Sequence, residues 1–148
     1  MLQKTLETGD LPQSIGYGAG AANMTATADG TVVIGHSAGA AITTGAGNTA
    51  IGFEALSSAT NPGAGAGITD NCTALGYQSL KTFAADADGH GENTAIGSSA
   101  LNACTTGTDN TAVGSRCMST GVVTGNQNVC VGVSSGDNLA SGNNNILL

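Results

Sequence analysis

The nonapeptide Asn93-Thr94-Ala95-Ile96-Gly97-Ser98-Ser99-Ala100-Leu101 returns along the chain with small changes. It reads Asn48-Thr49-Ala50-Ile51-Gly52-Phe53-Glu54-Ala55-Leu56 upstream and Asn110-Thr111-Ala112-Val113-Gly114-Ser115-Arg116-Cys117-Met118 downstream. Anchored on the glycine after the aliphatic residue, the copies fall at Gly16, Gly35, Gly52, Gly76, Gly97, Gly114 and Gly132. The separations are 19, 17, 24, 21, 17 and 18 residues, a base period near 17 with insertions. A fixed period with tolerated insertions marks a stack of short coils, in which extra residues fall in loops while the stacked part keeps register. Asn143-Asn144-Asn145-Ile146-Leu147-Leu148 opens an eighth copy. The expectation is an all-β protein, a parallel β-solenoid (β-roll) of about 17-residue coils over residues 14–148. Residues 1–13 carry Leu2, Leu6 and Leu11 without the motif and are expected to cap the stack or attach it.

The columns of the repeat assign a role to each position. Before the glycine stand Ile15, Ile34, Ile51, Leu75, Ile96, Val113 and Val131, an aliphatic column expected to be buried. One residue earlier stand Ser14, Val33, Ala50, Ala74, Ala95, Ala112 and Cys130, small enough for the close approach of another layer or subunit. In a strand these two columns point to opposite faces. Thr49, Thr73, Thr94 and Thr111 share the aliphatic face by parity and are expected inside or at an interface. Asn48, Asn93, Asn110 and Asn128, with Cys72 once in their place, suggest a corner ladder that satisfies turn backbone and bonds from coil to coil. The glycine calls for positive φ or close backbone approach. Leu56, Leu80, Leu101 and Met118 supply a second large apolar residue, so that Ile96 and Leu101 read as the buried pair of their coil.

Composition limits what such a chain can do. It has 148 residues with 24 Gly, no Trp, two Phe and two Tyr, so a conventional core would lack the large side chains that supply most burial energy. Thin stacked layers, or several copies pooling apolar faces, are the way out. Three Lys plus Arg against ten Asp plus Glu give a net charge of −7, which excludes phosphate-rich partners: no nucleic acid and no anionic membrane. Acidity then serves solubility. No stretch has signal-peptide character or the roughly 20 apolar residues of a spanning helix, so synthesis in the cytoplasm without membrane insertion is expected. Cys72, Cys104, Cys117 and Cys130 lack CxxC spacing and read as free, buried apolar fillers rather than zinc ligands.

No catalytic constellation, cofactor site or metal site emerges. A left-handed hexapeptide acyltransferase helix needs an aliphatic residue every six positions, but Ser57 and Gly63 follow Ile51 at those steps, and Asn102 and Thr108 follow Ile96. His36 occupies the variable column shared with Tyr17, Phe53 and Tyr77, and no nucleophile stands in readable relation to it or to His90. Asp86-Ala87-Asp88-Gly89 has alternate carboxylates and a glycine, as calcium loops do, without the further ligands. An ice-binding threonine array is disfavoured because parity would put the isoleucine column outside as well. Two insertions interrupt adjacent coils, Asn61–Asp70 and residues 84–91 with Asp86, Asp88 and His90. They are the candidate partner-contact loops.

The recurring Asn-Thr-Ala-Ile-Gly with Ala-Leu resembles the repeats of bacteriophage tail fibres and, more distantly, the β-roll heads of trimeric autotransporter adhesins. The resemblance spans about Ser14 to Leu148. It implies homotrimers of parallel β-coils whose small-residue columns face neighbouring subunits, and a role in attachment. An autotransporter also carries a signal peptide, coiled-coil stalk and membrane anchor, and this sequence has none of them. The implied function is a virion fibre, spike or capsid-decoration protein, made in the host cytoplasm, contacting itself, other virion proteins and a host surface glycan or protein. A particle scaffold or linker without receptor binding is the alternative, and a cell-surface adhesin head stands behind it.

Overall fold

The computed structural model describes residues 12–25, 27–59, 70–84, 91–121 and 123–148. Within them the chain winds as a β-solenoid whose coils each contribute one short strand. In chain order these are β1 (Gln13–Ile15), β2 (Val32–Ile34), β3 (Thr49–Ile51), β4 (Thr73–Leu75), β5 (Thr94–Ile96), β6 (Thr111–Val113), β7 (Val129–Val131) and β8 (Ile146–Leu147). They form one parallel sheet in sequence order, β1 to β8. Register follows the repeat: Thr94 pairs with Thr111, Ala95 with Ala112 and Ile96 with Val113. The eighth copy joins through Val129 with Ile146 and Cys130 with Leu147. The period with insertions and the parallel solenoid are therefore as the sequence predicts.

The anchoring glycines carry the ladder from coil to coil. Gly97 N–H donates to Leu75 C=O and Gly114 N–H to Ile96 C=O, each at 2.8 Å. Their φ values are 131° and 138°, a region that L-residues avoid. A Cβ on Gly97 would lie 2.6 Å from the carbonyl oxygen of Gly114. Both reasons offered for the glycine, positive φ and close backbone approach, hold together.

The facing of the strand is the reverse of the expectation. The small column points inward: Val33, Ala50, Ala74, Ala95, Ala112 and Cys130 are fully buried. The aliphatic column points outward, with Ile15 at 55%, Leu75 at 43% and Val131 at 40% exposure. Leu101 is buried as expected, and Ile96 is not its interior partner. The physical reason is the thinness of the coil. Leu56, Leu80, Leu101 and Met118 fill the interior from across the coil, leaving room opposite them for a methyl or thiol only. The small columns consequently make contacts inside one chain and do not face neighbouring subunits. A third interior column, Ile42, Ala59, Phe83 and Cys104, alternates large and small and completes the core.

The asparagine corner is as read. Asn93 Oδ1 accepts from Asn110 N–H at 3.0 Å while its Nδ2 donates to Gly107 C=O at 2.8 Å. Asn110 repeats this toward Asn128 N–H and Gly125 C=O. Thr31 stands in the column in the second coil, its hydroxyl accepting from Asn48 N–H at 3.1 Å. Among the described residues, every buried side-chain nitrogen and oxygen has a partner. Beyond the strand, the coil turns on left-handed residues, including the core leucines: Leu56, Leu80 and Leu101 have φ of 51°, 48° and 48°. Burying a leucine is worth roughly 1.5–3 kcal/mol and the left-handed conformation costs roughly 1–2, so the leucine is retained where a glycine would turn more easily. In three coils Gly20, Gly39 and Gly136 take that place.

Candidate functional site

The outward face of the eight-stranded sheet is a continuous surface built from two side-chain columns. One column is Gln13, Val32, Thr49, Thr73, Thr94, Thr111, Val129 and Ile146; the other is Ile15, Ile34, Ile51, Leu75, Ile96, Val113, Val131 and Leu148. Seven strand spacings of about 4.8 Å make it roughly 34 Å long. It carries no Asp, Glu, Lys or Arg, although the whole chain has a net charge of −7. The carboxylates among the described residues lie outside these two columns. Glu54 pairs with Lys81 at 2.6 Å and accepts from Gln78 at 2.8 Å, and the Lys81 hydrogen bond holds its carboxyl below the usual range. Asp137 is likewise lowered, by the hydroxyls of Thr120 and Ser119. The four stacked threonine hydroxyls have no partner within the described residues.

Beside this face, one position past each glycine, runs an aromatic ladder. Tyr17, His36, Phe53 and Tyr77 stack in succession with centroids 5.3, 5.1 and 5.3 Å apart and ring planes within 30° of parallel. The spacing is that of the sheet, so the rings lie over one another as rungs. Backbone bonds hold them in step: Glu54 N–H donates to His36 C=O and Gln78 N–H to Phe53 C=O. Ser37 Oγ lies 3.1 Å from His36 Nδ1. The sequence places these four residues in one variable column, and four rings on successive coils of a parallel stack are the signal that they meet.

Of the candidate loop residues, Asn61, Asp86, Asp88 and His90 lie outside the described residues. Asp70 is described, and it ties neighbouring coils together: its Oδ1 accepts from Ala46 N–H at 2.7 Å and its carbonyl from Glu92 N–H at 3.0 Å. Cys72, Cys104, Cys117 and Cys130 are free and buried, as read. Burial pushes the thiols of Cys72 and Cys104 up to about 12 and that of Cys117 up to about 11. No group of three His, Cys, Asp or Glu able to hold a metal occurs among the described residues, and no helix there is long and apolar enough to cross a membrane. No family model, curated protein or solved structure matches this chain.

Proposed function

We propose that the chain is a structural shaft or decoration module of a virion fibre or spike, joined into a homotrimer through its outward sheet face and serving attachment to a host surface. The observation that carries the assembly part is the charge-free aliphatic column, which runs through all eight coils and leaves large apolar side chains exposed. Exposed apolar surface of this extent is characteristic of interaction sites. A second copy suits it because acidic chains repel everywhere except where the charge is missing. The threefold state and the particle setting come from the resemblance of the repeat to tail fibres and adhesin heads, and the alternative remains a scaffold without a receptor.

The threonine ladder favours one other reading. Its outward hydroxyls are free to order water, and the objection that isoleucine would have to be outside too no longer holds. Yet the threonines span four coils and the aliphatic column eight, so dry burial accounts for more of the face than hydration does. Mass in solution decides between them. The expected mass is about 43 kDa, three times the 14.2 kDa chain, and Ile96→Asp brings it down to one copy with the coil signal kept. A stable wild-type monomer sinks the trimer, and freezing-point hysteresis in it would support the ice reading. Removing residues 61–70 and counting particle adsorption separates receptor binding from scaffold.

A further inference from the structure

The aromatic ladder stops abruptly at its fourth ring. The next two rungs are Ser98 and Ser115, both exposed. Because the coils stay in register, Ser99 N–H donating to Tyr77 C=O at 2.8 Å, the rung after Tyr77 is in place and holds only a hydroxymethyl group. Tyr77 therefore has one ring face covered by Phe53 and the other open above Ser98. Phe53, stacked on both sides, is 41% exposed, against 51% for Tyr77 and 82% for Tyr17 at the two ends of the ladder. Below the open face the two serine hydroxyls have no partner among the described residues. The result is a step one ring deep, with an aromatic wall and a floor of hydroxyls.

We infer that this step binds one ring of a neutral oligosaccharide, the sugar's C–H face against Tyr77 and its hydroxyls on Ser98 and Ser115. An aromatic face carries partial negative charge and attracts the positively polarised axial C–H groups of a pyranose, while apolar contact adds burial. A sugar brings both halves of the match. A phenyl ring would cover Tyr77 equally well but leave the exposed serine hydroxyls to water, whereas a sugar's own hydroxyls bond to them. A neutral sugar suits the place better than an acidic one, since the chain's net charge of −7 repels carboxylated glycans.

The inference names a ligand class for the attachment role and rests on that reading. The test uses the full chain and cellohexaose, whose β-linked glucose units present H1, H3 and H5 on one face. Saturation-transfer NMR is expected to mark H1, H3 and H5 above the other ring protons. Tyr77→Ala removes the wall and reduces the transfer at least tenfold. Ser98→Phe covers Tyr77 with a fifth ring and leaves Ser115 as the one hydroxyl beyond it, so the transfer falls severalfold while the extended ladder guards against a loss that is only unfolding. Tyr17→Ala, at the far end, leaves it within about twofold. Equal transfer in wild type and Ser98→Phe overturns the inference, as does no transfer at 10 mM sugar or loss of it in Tyr17→Ala. Adsorption of particles carrying Tyr77→Ala reads attachment without this step, so the two can fail separately.

Discussion

Asn110 is buried at a corner where no water can replace what its side chain provides. Its Oδ1 accepts from both the backbone N–H and the Nδ2 of Asn128, each at 3.0 Å, and its own Nδ2 donates to Gly125 C=O at 2.8 Å. Asn110→Ala leaves those buried groups unpaired at about 1–3 kcal/mol each, so a loss of about 3 kcal/mol or more is expected in urea unfolding. A loss below about 1 kcal/mol would mean that the ladder is ornamental. The cysteines make a second prediction at this scale. With the Cys72 and Cys104 thiols raised from the ordinary 9.0 to about 12 by burial, the native state holds protons that the unfolded state releases. Their contribution to stability is therefore complete below pH 9 and lost as pH rises toward 12. Iodoacetamide at pH 8.5 should leave the native thiols unmodified and alkylate them in urea; equal rates in the two states would contradict this burial.

One coil is the unit in which inside and outside are decided, and Leu101 and Ile96 separate them. Leu101→Ala opens a cavity between Leu80 and Met118 and is expected to cost about 2–5 kcal/mol at any protein concentration. Ile96→Ala removes an outward side chain that touches its cross-strand neighbours, worth about 0.2–1 kcal/mol within one chain. Any further cost of Ile96→Ala should grow with dilution, because it belongs to the contact between copies. Equal, concentration-independent losses would put both residues back inside. The existence, spacing and register of the strands are legible in the sequence because every coil repeats the same glycine and asparagine requirements. The facing is not, because Thr94-Ala95-Ile96 offers one large face and one small one, and hydrophobicity alone turns the isoleucine inward. What turns it outward is volume: the interior is already filled by Leu101 and its column from the opposite wall, a relation visible only when the coil is closed. The ladder from Tyr17 to Tyr77 was half legible in the same way, its column evident and its stacking dependent on insertions leaving the register intact.

At the scale of the whole molecule, stability is spread along the stack, each coil contacting the one before and the one after. Among the described strands, contact runs only between sequence neighbours, β1 to β2 through β7 to β8. Removing one complete period should then shorten the solenoid without breaking it. Deleting residues 97–113, the 17 that separate Thr94 from Thr111 in register, joins Ile96 to Gly114 and restores the Ile-Gly step. Asn93 then meets Asn128 in the ladder, Leu80 meets Met118 in the core, and the outward aliphatic column loses one member without a gap. The expected product is a seven-stranded solenoid that still unfolds cooperatively, with a denaturant slope reduced roughly in proportion to the lost coil. Deleting residues 98–105 instead shifts every later column off its place: leucines face solvent and asparagines enter the core. That variant is expected to be unfolded or aggregated. If the two deletions behave alike, the stack is not built from interchangeable coils, and register along the whole length, rather than contact between neighbours, sustains it.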